Sequence, residues 1–131
     1  MSDTYTVLKT LNTQFFAFLE DVKTIFPENK DVASAKKSFE LIKMANPSII
    51  IKVWYSYIYT PYHEEIEKGN IDFFSDKDYS QDLNKVSNSG DVMRIIDSLR
   101  EPVRDMSPEN KEHTRKYLQI LTKLSKMYNN F

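Results

Sequence analysis

Two stretches of this sequence carry side chains at spacings that chemistry uses. The first is His63-Glu64-Glu65-Ile66-Glu67. Residues four apart share one face of a helix, so His63 and Glu67 can reach a single cation together. A zinc-protease helix needs a second histidine where Glu67 stands, and a zinc site needs more ligands than this pair. A solvated helix face is the simpler reading. The second stretch is Asp76, Asp78, Ser80 and Asp82, at the alternating positions of a calcium loop, with Leu83 at its apolar eighth place. Here Gln81 replaces the glycine that makes the sharp turn and Ser87 replaces the bidentate glutamate. An acidic surface loop is expected instead, and neither calcium nor zinc is expected to stabilise the protein. No cofactor is implied.

Covalent and acid–base chemistry leave no clearer trace. There is no glycine-rich phosphate loop, nucleophile elbow or paired set of catalytic carboxylates, so no catalytic residues are expected and the protein is read as no enzyme. Eight basic residues populate the last third: Arg94, Arg100, Arg104, Lys111, Arg115, Lys116, Lys123 and Lys126. Asp91, Asp97, Glu101, Asp105, Glu109 and Glu112 interleave with them, which is the pattern of a mixed-charge solvated face. Only Arg115, Lys116, Lys123 and Lys126 lean cationic. These four are the candidate contacts to nucleic acid.

The strongest feature is the run from Asn46 to Tyr62, which holds Trp54, the only tryptophan, and four of the eight tyrosines, Tyr55, Tyr57, Tyr59 and Tyr62. So much apolar surface must form either a helical core or a docking face. A base-stacking platform would need basic side chains among the aromatics, and Lys52 is the only one between Met44 and Glu67. Packing is therefore expected for Trp54 and most of the tyrosines. Tyr55, Tyr59 and Tyr62 share a side and are the candidate partner-binding residues, because tyrosine suits a surface that is apolar at one end and wet at the other.

These residues are positioned by helices. The chain has only two glycines in 131 residues, Gly69 and Gly90, each where a helical pattern stops. Leu8, Leu11, Phe15, Leu19, Val22 and Phe26 step by three and four along one face and predict a helix from about Thr4 to Phe26, with Pro27 just beyond. Val32, Ala35, Phe39 and Ile42 predict a second over Asp31 to Ala45. Asn46-Pro47 ends that helix and starts a third, and Thr60 is expected to cap a short helix reaching Lys68. The acidic stretch from Asn70 to Asn84 reads as irregular, anchored by Ile71, Phe73, Phe74, Tyr79 and Leu83. Val92, Ile95, Leu99, Val103 and Met106 predict a further helix that Pro102 should kink or break. Ser107-Pro108 opens the last, which runs to about Tyr128 with an inner face of Tyr117, Leu121, Leu124 and Tyr128, widened by Leu118 and Ile120. The fold expected is all-α, a single domain over residues 1–131 with five or six helices. Its core should include Leu11, Phe15, Phe39, Trp54, Leu99 and Leu121.

Composition agrees with a globular chain: 40% hydrophobic, 28% charged and a net charge of -1, which gives no general drive toward polyanions or anionic lipid. The absence of cysteine rules out disulfides and thiolate metal sites. The start, Met1-Ser2-Asp3-Thr4, lacks a signal peptide's basic and apolar regions. Lys52 and Ser56 interrupt the longest apolar run, Ile49 to Tyr59, which is far short of the ~20 residues of a membrane span. No membrane association and an intracellular setting are expected.

Four blocks carry a resemblance: LNTQFFAFLEDVKTIFPENKDV, ANPSIIIKVWYSYI, IDFFSDKDYSQDL and IDSLREPVRDMSPENKEHTRKYLQILTKLSK. Together they cover most of the chain, which resembles a family of small uncharacterised proteins from large nucleocytoplasmic DNA viruses of algae and protists. The resemblance implies a viral setting, in the host cytoplasm, a virus factory or the virion, and brings no assigned activity and no site residues. The reading that follows is a protein-interaction module, a viral structural or assembly and replication accessory protein, with protein partners that include viral ones. The alternative is a nucleic-acid-associated accessory factor of viral replication or expression. No oligomeric state follows from the sequence.

Overall fold

The computed structural model describes residues 3–70 and 90–130, and helix is the only regular structure among them. In chain order these are α1 (Asp3–Ile25), α2 (Lys30–Ala45), α3 (Ile49–Trp54), a π-helical segment (Tyr55–Tyr59), α4 (Thr60–Glu67), α5 (Gly90–Ser98), α6 (Arg100–Arg104) and α7 (Pro108–Asn129). Because α3, the π segment and α4 run on without a break, and α5 and α6 are divided only at Leu99, five rods result among the described residues. The all-α reading holds. The aspartate-rich stretch from Asp76 to Ser87 and the anchors Ile71, Phe73, Phe74, Tyr79 and Leu83 lie outside the described residues.

Local chemistry explains most boundaries. Phe26 precedes Pro27 and is steered out of helical geometry, which ends α1. The Asn29 side chain caps α2 by accepting from the backbone N–H groups of Asp31 and Val32 at 2.9 and 3.1 Å. Ser107 does the same for α7, accepting from the Asn110 N–H at 3.2 Å, with Pro108 at the first helical position. Pro102 has no N–H to offer the Ser98 carbonyl, and the helix divides beside it into α5 and α6, as its position predicts.

Two expectations at prolines need correction. Pro47 does not open α3. It sits in the turn before Ser48 and Ile49, where its carbonyl accepts from the Asn12 amide at 2.9 Å and ties that turn to α1. Thr60 is not an N-cap either. Helix continues through it, and the ladder instead loosens to π geometry over Tyr55–Tyr59, with the Thr60 N–H and hydroxyl both donating to the Tyr55 carbonyl, the hydroxyl at 2.8 Å. Proline in a helix interior clashes with the carbonyl four residues back. A widened turn just ahead of Pro61 gives its ring room without ending the helix.

A single apolar cluster joins all five rods. All six predicted core residues are buried: Leu11, Phe15, Phe39, Leu99 and Leu121 are fully covered and Trp54 is 1% exposed. α1 packs along α7 and α2, while α2 also packs against α5. Phe15 meets Phe39 edge-on at 4.9 Å and Trp54 at 6.0 Å, a geometry favoured by the ring quadrupoles. Ile50, Ile51, Val53 and Trp54 are all buried because α3 touches α1, α2, α5 and α7. Only Lys52 in this short helix is exposed, and a helix apolar on nearly every side belongs inside.

The inner face of α7 differs from the apolar stripe. Its buried residues are Thr114, Leu118, Leu121, Thr122 and Ser125, whereas Tyr117, Leu124 and Tyr128 lie at the margin and Ile120 is exposed. This orientation gives Trp54 a buried acceptor: its Nε1 donates to Thr122 Oγ1 at 3.1 Å. Ser125 satisfies its own hydroxyl on the Thr122 carbonyl at 2.8 Å.

Candidate functional site

The π segment delivers three rings to one line. Tyr55 and Tyr59 have centroids 4.9 Å apart, and Tyr59 stacks on His63 at 4.8 Å with planes within 18°. In an unbroken α-helix Tyr55, Tyr59 and Tyr62 would align; the extra width of the π turn brings His63 into line instead. Tyr62 packs against the core, so the expected trio is not one face. Tyr55 and Tyr59 are half-buried rather than openly exposed. His63 also faces Glu67, Nδ1 to Oε2 at 3.7 Å. No third ligand accompanies that pair, and no group of three or more His, Asp or Glu able to hold a metal occurs among the described residues.

Beside the ladder, between α4 and the end of α7, lies a groove of about 510 Å3. Tyr59 and Ile66 form one wall; Gln119, Lys123, Lys126 and Met127 form the other. That volume lies within the range of clefts that hold small ligands or single anchoring side chains, about 300–1,000 Å3. Met127 is 40% exposed at its edge. Tyr55 borders a second hollow on the other side of the crossing, with Lys52, Ser56 and Tyr128.

The α4 wall of the groove ends in a well-defined cap. Gly69 takes φ +85° and closes α4: its N–H donates to the Ile66 carbonyl and that of Asn70 to the Glu65 carbonyl, both at 2.9 Å. The Gln119 amide donates to the same Ile66 carbonyl at 3.0 Å and fixes α4 on α7. Above it the stem of Arg115 lies so close to Gly69 that a Cβ there would meet Arg115 Cδ at 3.2 Å.

The four cationic candidates are thereby separated. Arg115 is engaged, packing at Gly69 and bonding the Glu112 carboxylate. That hydrogen bond is the main reason the Glu112 carboxyl is held below its ordinary range. Lys116 is exposed in a shallow hollow with His113, Tyr117 and Ile120, where burial first, then the charge of Asp21, raises the Tyr117 phenol above its ordinary value. Lys123 and Lys126 reach the groove, and neither has an ion-pair partner among the described residues. Periodicity gave no sign of Gln119 or Met127, and His63 stood out only as a metal ligand.

The class these observations define is an all-α protein with a half-buried aromatic ladder beside a cationic groove. No protein-family model matches the chain, and no curated protein or solved structure matches it. No helix among the described residues is long and apolar enough to cross a membrane.

Proposed function

We propose that this protein is a non-enzymatic protein-interaction module, serving as a viral structural or assembly and replication accessory component in the setting its four sequence blocks imply. The observation that carries the reading is the line of Tyr55, Tyr59 and His63, half-buried on one side of the continuous α3–α4 helix, beside a groove edged by Met127. Aromatic side chains with an apolar body and a polar tip anchor protein interfaces, and a few of them carry most of the affinity.

The alternative, a nucleic-acid-associated factor, has support from Lys116, Lys123 and Lys126 alone, which are exposed and without an ion pair among the described residues. Single-stranded nucleic acid binds by stacking bases on open ring faces, and Tyr59 has Tyr55 on one side and His63 on the other. Arg115 is already held by Glu112.

Affinity capture from infected host cells tests the reading, with the wild-type chain and a Tyr55→Ala/Tyr59→Ala variant as baits. A specific partner protein should be retained by the first and weakened by more than ~1 kcal/mol per tyrosine in the second, while the variant's melting curve stays cooperative. A variant that unfolds makes these tyrosines core. Binding only to oligonucleotides, falling steeply with salt, supports the alternative.

A further inference from the structure

We infer that the groove between α4 and the end of α7 binds a short acidic peptide segment of a partner protein, seating one apolar side chain between Ile66 and Met127 and pairing carboxylates with Lys123 and Lys126. The inference rests on the protein-interaction reading above and adds the chemistry of the segment recognised.

Of the cations after Gly90, Lys123 and Lys126 are the two that line this groove. Arg100, Arg104 and Arg115 each have an acidic residue three positions earlier and touch it: Asp97, Glu101 and Glu112. No aspartate or glutamate follows Glu112 in the sequence. The second half of α7 therefore presents Lys123 and Lys126 without a counter-charge of its own. Among the described residues lining the groove the one carboxylate is Glu67, which faces His63. The two lysines lie three residues apart, about 4.5 Å along the helix axis, so their ammonium groups can hold two carboxylates of one short segment.

The apolar half of the groove selects peptide over phosphate. Ile66, 1% exposed, belongs to the wall on the α4 side, while Met127, unbranched and adaptable, forms an edge left 40% exposed. A nucleic acid would find no open ring face on Tyr59, which lies between Tyr55 and His63. A peptide side chain covers the Met127 edge, and acidic neighbours meet the lysines at the rim, where charge sets partner choice and on-rate.

Lys126 also lies in the last turn of α7, where a cation complements the helix dipole. The test therefore changes the peptide as well as the protein. Fluorescence anisotropy of the full chain would be measured with four labelled probes: a short peptide with a phenylalanine or leucine anchor flanked by glutamates, its glutamine counterpart, its lysine counterpart, and a thymidine oligonucleotide. The acidic peptide should bind, the glutamine peptide about tenfold more weakly, and the other two not measurably. Lys123→Glu/Lys126→Glu should lose the acidic peptide and gain the lysine one, and Lys123→Gln/Lys126→Gln serves should the reversal fail to fold. Equal binding of acidic and glutamine peptides, still lost in Tyr55→Ala/Tyr59→Ala, overturns the acidic preference and leaves the interaction module standing. Binding of the oligonucleotide alone overturns both, and binding of none of the probes overturns the inference.

Discussion

Trp54 donates its buried indole N–H to the Thr122 hydroxyl at 3.1 Å, joining two residues 68 positions apart. The bond sits where α3 crosses α7, with Trp54 1% and Thr122 3% exposed. Thr122→Val keeps the shape but leaves the indole without an acceptor, and should cost about 1–3 kcal/mol in urea unfolding. Thr122→Ser should recover most of the bond. Equal stability of the valine and wild-type proteins would show that the bond contributes nothing.

The π segment makes a separate prediction. Deleting the exposed Ser56 removes the extra residue of the wide turn and returns the Pro61 ring toward a carbonyl. The deletion should cost about 3 kcal/mol or more, and Pro61→Ala in the same chain should restore much of it. A deletion that is as harmful with alanine as with proline would mean that the π turn serves packing and not the proline.

Gly69 holds φ +85° under the Arg115 stem. Gly69→Ala should cost about 1–2 kcal/mol for the left-handed backbone alone, with the Arg115 contact adding to it. Arg115→Ala should relieve only the contact part, which a double-mutant cycle in denaturant would read as a positive coupling. Strict additivity would contradict the close packing.

Two groups among the described residues contribute to the pH dependence of stability. The Arg115 hydrogen bond holds Glu112 below its ordinary 4.5, so its contribution is present above that value and lost as pH falls through the lowered one. Burial holds Tyr117 above 10.0, so its contribution is present below that value and lost as pH rises through the raised one. Glu112→Gln should flatten the acid limb slightly, since the carboxyl is at the surface. Tyr117→Phe should flatten the alkaline limb while keeping the ring contact with Phe18, 5.4 Å between centroids. Melting temperature against pH checks both; unchanged limbs would contradict them.

The helices and the centre of the core were legible because apolar periodicity and proline positions report them directly: Phe15, Phe39 and Trp54 lie where their spacing puts them, and Pro102 divides its helix. The buried face of α7 was not legible, because Thr114, Thr122 and Ser125 are invisible to a count of apolar residues, and their hydroxyls find partners only in the folded protein. The ladder was misread by one position. Whether Tyr62 or His63 joins Tyr55 and Tyr59 depends on a single extra residue of helical turn, which follows from how Pro61 is accommodated and not from spacing. The groove required knowing which helix end Gln119 grips.

The rival surface for docking lies on α2, where Leu41 and Met44 are 64% and 81% exposed. Amide chemical-shift mapping on the 15N-labelled chain, during titration with the captured partner protein, separates the two faces in one experiment. The account predicts shifts concentrated at Tyr55, Tyr59, His63, Lys123, Lys126 and Met127, with α2 silent. Shifts concentrated at Leu41 and Met44, with the ladder and groove unmoved, would contradict it.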